Sequence, residues 1–154
     1  MKIEVLGCHG SETLTSRAAG FLIDDQVLLE AGTASSMLSL ERQGKIHSVI
    51  ISHLHMDHLK DLPFLVDNLI RGERHGISVY GIPEILDGLR EHLFNDKLWP
   101  DSTRFVKEGG SLLRFHALVP EKEMLLGEIG VTPYLVCHNG PAIGLLVRKE
   151  DRIF

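Results

Sequence analysis

The sequence predicts an α/β fold built on a mixed sheet. Strand-like and helix-like segments alternate through the first half of the chain, and the second half is almost wholly strand-like. At 154 residues, with 44% hydrophobic and 24% charged positions, the chain reads as one domain with a real core. One segment, Leu62 to Ile70, carries an apolar stripe that only a helix can bury on one side.

Lys2 to Leu6 alternates as a strand, and Gly7-Cys8-His9-Gly10-Ser11 breaks it with turn-forming residues. Arg17–Asp24 and Gln26–Glu30 read as two strands joined at Asp24-Asp25, a hairpin signal. After Ala31-Gly32-Thr33, Ser35 or Ser36 can cap a helix with Met37, Leu38 and Leu40 on one side and Gly44 as its stop. His47 to Ser52 is the next strand. Leu62, Leu65, Val66, Leu69 and Ile70 then repeat at i, i+3, i+4, i+7 and i+8. Pro63 suits the first turn, Asp61 suits the positive end of the helix dipole, and Gly72 marks the stop.

Ile77 to Tyr80 is a short strand and Pro83 to Phe94 a helix opened by proline. The pattern weakens between Asn95 and Gly110, where Trp99 serves as a pocket wall or a packing anchor. Leu112–Leu118, Val131–Cys137 and Ala142–Val147 read as strands, and Arg152-Ile153-Phe154 opens one more. A strand that opens there and stops cannot complete its ladder and leaves apolar residues at a free terminus. The expectation is a single domain over 1–154 that lacks its C-terminal part.

Composition excludes several classes. A net charge of −5 gives no basic footprint for nucleic acid. No apolar run approaches the roughly 18 residues of a membrane helix. Met1 to Leu6 has an acidic residue inside a short strand and is no signal peptide. Two cysteines, Cys8 and Cys137, make no disulfide framework, so a cytoplasmic setting is the expectation.

The chemistry concentrates in Ser52-His53-Leu54-His55-Met56-Asp57-His58, between the apolar run Val49-Ile50-Ile51 and the striped helix. In an extended loop alternate side chains point the same way, so His53 and His55 can converge on one ion. Asp57 and His58 follow once the chain turns toward the helix and can face a second ion. Packing gives no reason to place four such residues there. His138 sits where a strand breaks into Asn139-Gly140-Pro141 and is the third histidine that completes a three-ligand set with an open position. Cys137 alternates to the opposite face and reads as core. His9 either lines a pocket at the end of its strand or is simply solvated.

His53-x-His55-x-Asp57-His58 resembles the signature of the metallo-β-lactamase-fold hydrolases. The resemblance covers essentially the whole chain and implies an αββα sandwich of mixed sheets with flanking helices. It implies His53, His55 and His138 as ligands of a first metal, and Asp57 and His58 as ligands of a second. Glu30-Ala31-Gly32 stands where that family has Asp-Ala-Gly. The family's bridging aspartate and last histidine would lie beyond Phe154. Gly7-Cys8-His9-Gly10-Ser11, Glu30-Ala31-Gly32-Thr33 and His58-Leu59-Lys60-Asp61-Leu62-Pro63 look most like the class II cyclic-nucleotide phosphodiesterases.

The implied function is a hydrolase that uses a metal-activated hydroxide on a phosphodiester such as a cyclic nucleotide, with Asp57 holding the second ion and orienting the water. The implied cofactors are two divalent ions, zinc first, with manganese and iron as alternatives. The implied partner is a small-molecule substrate, with homo-oligomer formation left open. An acyl hydrolase acting on thioesters or lactones is the alternative on the same site. His55 argues against di-iron oxidoreductases, which place glutamate there, although a mononuclear iron dioxygenase fits the ligands. A chain that truly ends at 154 would instead be a non-catalytic metal-binding module.

Overall fold

The computed structural model describes residues 1–71, 76–107 and 110–154. The chain runs β1 Ile3–Gly7, β2 Gly20–Ile23, β3 Val27–Leu29, α1 Ala34–Met37, α2 Leu40–Gln43, β4 Ser48–Ile50, α3 Met56–Leu59, α4 Leu62–Arg71, β5 Ile77–Gly81 and α5 Pro83–His92. A 3-10 turn at Ser102–Arg104 precedes β6 Val106–Lys107, β7 Gly110–Ser111, β8 Leu113–Ala117, β9 Met124–Leu126, β10 Ile129–Leu135, β11 Ile143–Lys149 and β12 Arg152–Ile153.

Two main sheets form, as the family resemblance implies. The first is mixed, in the order β1-β2-β3-β4-β5-β8, with its first three strands antiparallel and the rest parallel. The second is antiparallel, in the order β12-β11-β10-β9, and β6 and β7 make a separate small ladder. Asp24 and Asp25 take positive φ values of 48° and 59°, so the β2–β3 hairpin has the turn that matches strand twist.

Register settles which face meets which layer. Phe115 of β8 lies under Arg90 and Phe94, so its face carries α5. Phe21 of β2 lies on the opposite face and meets Phe154 at 6.1 Å between ring centroids. That face therefore looks at the second sheet. The sheets are tied by Ile143 N–H donating to Ser52 O at 3.0 Å and by the Lys149–Asp24 ion pair at 3.1 Å. The stripe of α4 is buried through Leu62, Leu65, Val66 and Leu69. Its expected stop, Gly72, lies outside the described residues. Among the described residues, no helix is long and apolar enough to cross a membrane.

Several local expectations change. The helix expected from Ser35 or Ser36 to Gly44 is two short helices, because Leu38 turns extended and Ser39 caps the second by accepting from Arg42 N–H. Leu38 is buried, whereas Met37 and Leu40 face solvent, so the three do not share a side. Gly44 ends α2 in right-handed geometry.

The carboxylate of Asp61 does not stay with its own helix. It is 3% exposed and accepts the N–H groups of Ser35 at 2.9 Å and Ser36 at 3.2 Å, capping α1 across the fold. Trp99 is a packing anchor, edge-on to Phe64 at 5.3 Å. Cys137 is exposed rather than core, because the end of β10 is uncovered on both faces, already at the paired residues Tyr134 and Leu135. The last strand does find a ladder: β12 pairs β11, and Phe154 exchanges both backbone hydrogen bonds with Val147.

Candidate metal centre

The ligand loop leaves the buried end of β4. Its strand geometry persists past the ladder, since Ile51 N–H donates to Tyr80 O. His53 and His55 fall on one side with ring centroids 4.7 Å apart. Leu54 turns the other way into a notch over Gly88 of α5, where an added Cβ would lie 2.3 Å from its Cδ1. His55 is still extended at φ −71° and ψ 143°, and α3 begins at the next residue. Asp57 and His58 therefore sit on a helical turn. The change from strand to helix aims this pair differently from His53 and His55.

The turn is held by backbone from two directions, and the two holding segments are tied to each other. Ala31 N–H donates to His58 O at 2.7 Å, Ala19 N–H donates to Asp57 O at 3.0 Å, and Gly32 N–H donates to Ala19 O at 2.8 Å. A Cβ at Gly32 would stand 1.9 Å from Asp57 O and 2.6 Å from Ala19 O. Only glycine permits that approach.

Three histidines converge. One ring nitrogen each from His53, His55 and His138 lie within 4.8 Å of one another, His53 half-buried and the other two exposed. Ligand atoms on one tetrahedral ion lie about 3.4 Å apart. His138 arrives on the loop after β10, its ring 4.6 Å from His53 and 4.9 Å from His55.

Asp57 and His58 make a neighbouring pair rather than part of this triple. Asp57 Oδ2 is 3.3 Å from His58 Nε2, the separation expected for two ligands of one ion. The His58 ring touches His53 at 4.0 Å, which joins the pair to the triple. The donor set, imidazole nitrogens and one carboxylate with no thiolate among the grouped residues, fits divalent zinc, manganese or iron.

Glu30 was legible only as part of a segment, yet its side chain organises the site. It is 6% exposed, accepts Ser52 N–H at 3.2 Å, and places Oε2 3.3 Å from His58 Nδ1. This carboxylate raises the basicity of His58. His53 moves the other way: partial burial first, then the adjacent His58, hold its imidazole below the ordinary value. Ser52 Oγ lies 2.9 Å from His53 Nδ1. No periodicity in the sequence marks Ser52, and its place just before the first histidine is the one available signal. His9 is exposed, with its backbone bridged to Ala18, and does not join the cluster. Its neighbour Gly10 borders Asp57 instead, with room for a Cβ 3.7 Å from Oδ2.

Residues 30–129 match the family of class-II cAMP phosphodiesterases. A 3',5'-cyclic-nucleotide phosphodiesterase 1 from Saccharomyces cerevisiae is 30% identical, aligned over 87% of this chain and 42% of the relative. A 3',5'-cyclic-nucleotide phosphodiesterase from Schizosaccharomyces pombe is 22% identical over 71% of this chain and 30% of its own length. Among solved structures, the metallo-beta-lactamase fold protein YhfI from Bacillus subtilis superposes with a TM-score of 0.76 at 19% identity, covering 98% of this chain and 59% of that one. Unliganded yeast PDE1 superposes at 0.75 and 18% identity, covering 94% and 60%. The chain thus spans less than half the length of the curated relatives it matches. The fold is that of the metallo-β-lactamases, and by the match over residues 30–129 the chain belongs to the class-II cAMP phosphodiesterase family.

Proposed function

We propose that residues 1–154 form one domain carrying the metal-binding part of a hydrolase site for a phosphodiester, a cyclic nucleotide or a close analogue. The carrying observation is the convergence of His53, His55 and His138 beside the Asp57–His58 pair. In this reading the three histidines hold one divalent ion, and Asp57 and His58 contribute to a second. Such ions, when bound, supply Lewis acidity toward phosphate oxygens and acidify water toward neutrality.

The chain's own residues do the positioning. Exposed His55 and His138 leave the centre open to a substrate, whereas half-buried His53 and His58 anchor it. Asp57, as a carboxylate, accepts a hydrogen bond from water and orients it toward phosphorus. The family match and the substrate in the names of the two yeast relatives support a phosphodiester over an acyl ester.

The test is a metal count on the purified protein followed by assays on 3',5'-cyclic AMP, bis(p-nitrophenyl) phosphate and an acyl thioester, before and after chelation. Metal-dependent cleavage of the phosphodiesters, lost in His53→Ala, is expected. Cleavage of the thioester alone would replace the substrate class, and a protein that takes up no ion would remove the centre.

A further inference from the structure

We infer that Glu12 and Lys60 are positioning residues that latch the β1–β2 loop beside Asp57, and that Gly10 is the specificity-determining position that keeps the flank of that carboxylate clear for an oxygen of a bound phosphate. This rests on the metal-centre reading above. Residues 8 to 15 of the loop are all exposed, and Leu14 near its tip is 98% exposed, so burial does not hold the loop in place. Directed contacts do.

The neck of the loop is closed by His9 N–H donating to Arg17 O at 3.0 Å. Its tip is folded by Thr13 N–H donating to Ser16 O and by Arg17 Nη1 donating to Thr13 O at 2.8 Å. The loop is therefore a braced unit, and two ties place it against the turn that carries Asp57 and His58. At the base, Ala19 N–H donates to Asp57 O at 3.0 Å. Toward the tip, Glu12 Oε2 meets Lys60 Nζ at 2.9 Å, and the same ammonium meets Asp61 Oδ1 at 2.8 Å. Lys60 is the C-cap of α3, the helix on which Asp57 and His58 sit. Asp61 is itself anchored by the Ser35 and Ser36 N–H groups, so the latch runs from the core through Lys60 to the loop.

Gly10 is the point where this loop passes the candidate ligand. A Cβ there would meet one group within 4 Å among the described residues, Asp57 Oδ2 at 3.7 Å. Gly10 is not one of the glycines with positive φ, so its backbone does not demand glycine. What the missing side chain provides is clearance. A phosphate oxygen that shares an ion with Asp57 has to come up beside that carboxylate, and a branched side chain at position 10 would fill the same space. Such a residue would obstruct the phosphate while leaving the ligand atoms of the centre in place.

The experiment pairs amide hydrogen exchange on the metal-free protein with calorimetric titration of inorganic phosphate into the zinc-loaded protein. Glu12→Ala and Lys60→Met are each expected to speed exchange at His9, Thr13 and Ser16 about two- to fivefold, the range of a half-exposed ion pair, with no further gain in the double variant. Ala19, held to Asp57 O, is expected to keep its rate. Gly10→Val is expected to weaken phosphate at least about tenfold, with zinc affinity within about twofold of wild type. Should Lys60→Met not fold, Glu12→Ala and Gly10→Val still decide the matter. Unchanged loop exchange in Glu12→Ala, phosphate bound by Gly10→Val as tightly as by wild type, or no phosphate taken up by the zinc-loaded wild type would overturn the inference. A wild type that binds no zinc would sink the metal-centre reading, and the exchange rates alone would then judge the latch.

Discussion

The two sides of the candidate centre are built to different standards. The loop carrying His53, His55, Asp57 and His58 is clamped by backbone hydrogen bonds from Ala19 and Ala31, by the buried Glu30 carboxylate, and by Leu54 seated over Gly88. The loop carrying His138 is exposed from Tyr134 to Pro141. Among the described residues its backbone ties beyond the ladder are local, Val136 N–H to Ala142 O and Gly140 N–H to His138 O. One half is preorganised by the fold. The other is exposed and held by few ties, so stability and metal binding should separate by side.

The clamped side breaks first. Gly32→Ala drives a Cβ into two backbone carbonyls that cannot yield, and should cost at least about 3 kcal/mol, read as a lowered denaturant midpoint. Next comes zinc itself. At about a hundredfold over its Kd it should raise stability by about 2.7 kcal/mol, seen as a higher Tm. His138→Ala should abolish that rise while leaving metal-free stability within about 0.5 kcal/mol, because its loop is exposed. An equal loss of metal-free stability in His138→Ala would erase the contrast between the sides.

Asp61→Ala strands the N–H groups of Ser35 and Ser36 and should cost about 2 kcal/mol in chemical denaturation, with zinc binding retained. The smallest effect is set by pH. The Lys2 backbone N–H, and then Lys149, hold the Asp24 carboxyl below its ordinary range. Its contribution is fully present above the unfolded value, about 3.9, and is lost as pH falls through the lower folded value. Asp24→Asn should therefore flatten the acid limb of stability against pH and leave neutral metal binding alone.

The fold was legible where local pattern and tertiary burial agree. The Leu62–Ile70 stripe became the buried side of α4, and the strands about Asp24-Asp25 became the hairpin whose turn suits them. The split between α1 and α2 was missed, because Ser39 caps α2 inside what reads as one helical segment and α1 takes its own cap from Asp61, some 25 residues downstream. The spacing of His53 and His55, and the place of His138 at a strand's end, foretold that they would meet. The geometry of Glu30 could not be read, since it depends on a left-handed backbone and on partners at Ser52 and His58. Cys137 was misplaced for a related reason: alternation implies one buried face, whereas among the described residues nothing covers either face of β10 from Tyr134 onward.

The seat of Leu54 over Gly88 imposes a parity rule on the loop. Between Ser52 and Met56 the side chains alternate, so a single inserted residue would swing a histidine into the apolar notch and Leu54 toward the ion. An insertion of two would keep the faces but lengthen the span between ligands by about 6.6 Å. Variants of this loop can therefore exchange residue types freely at the position of Met56, whose side chain is exposed, but cannot change the count between His53 and His55.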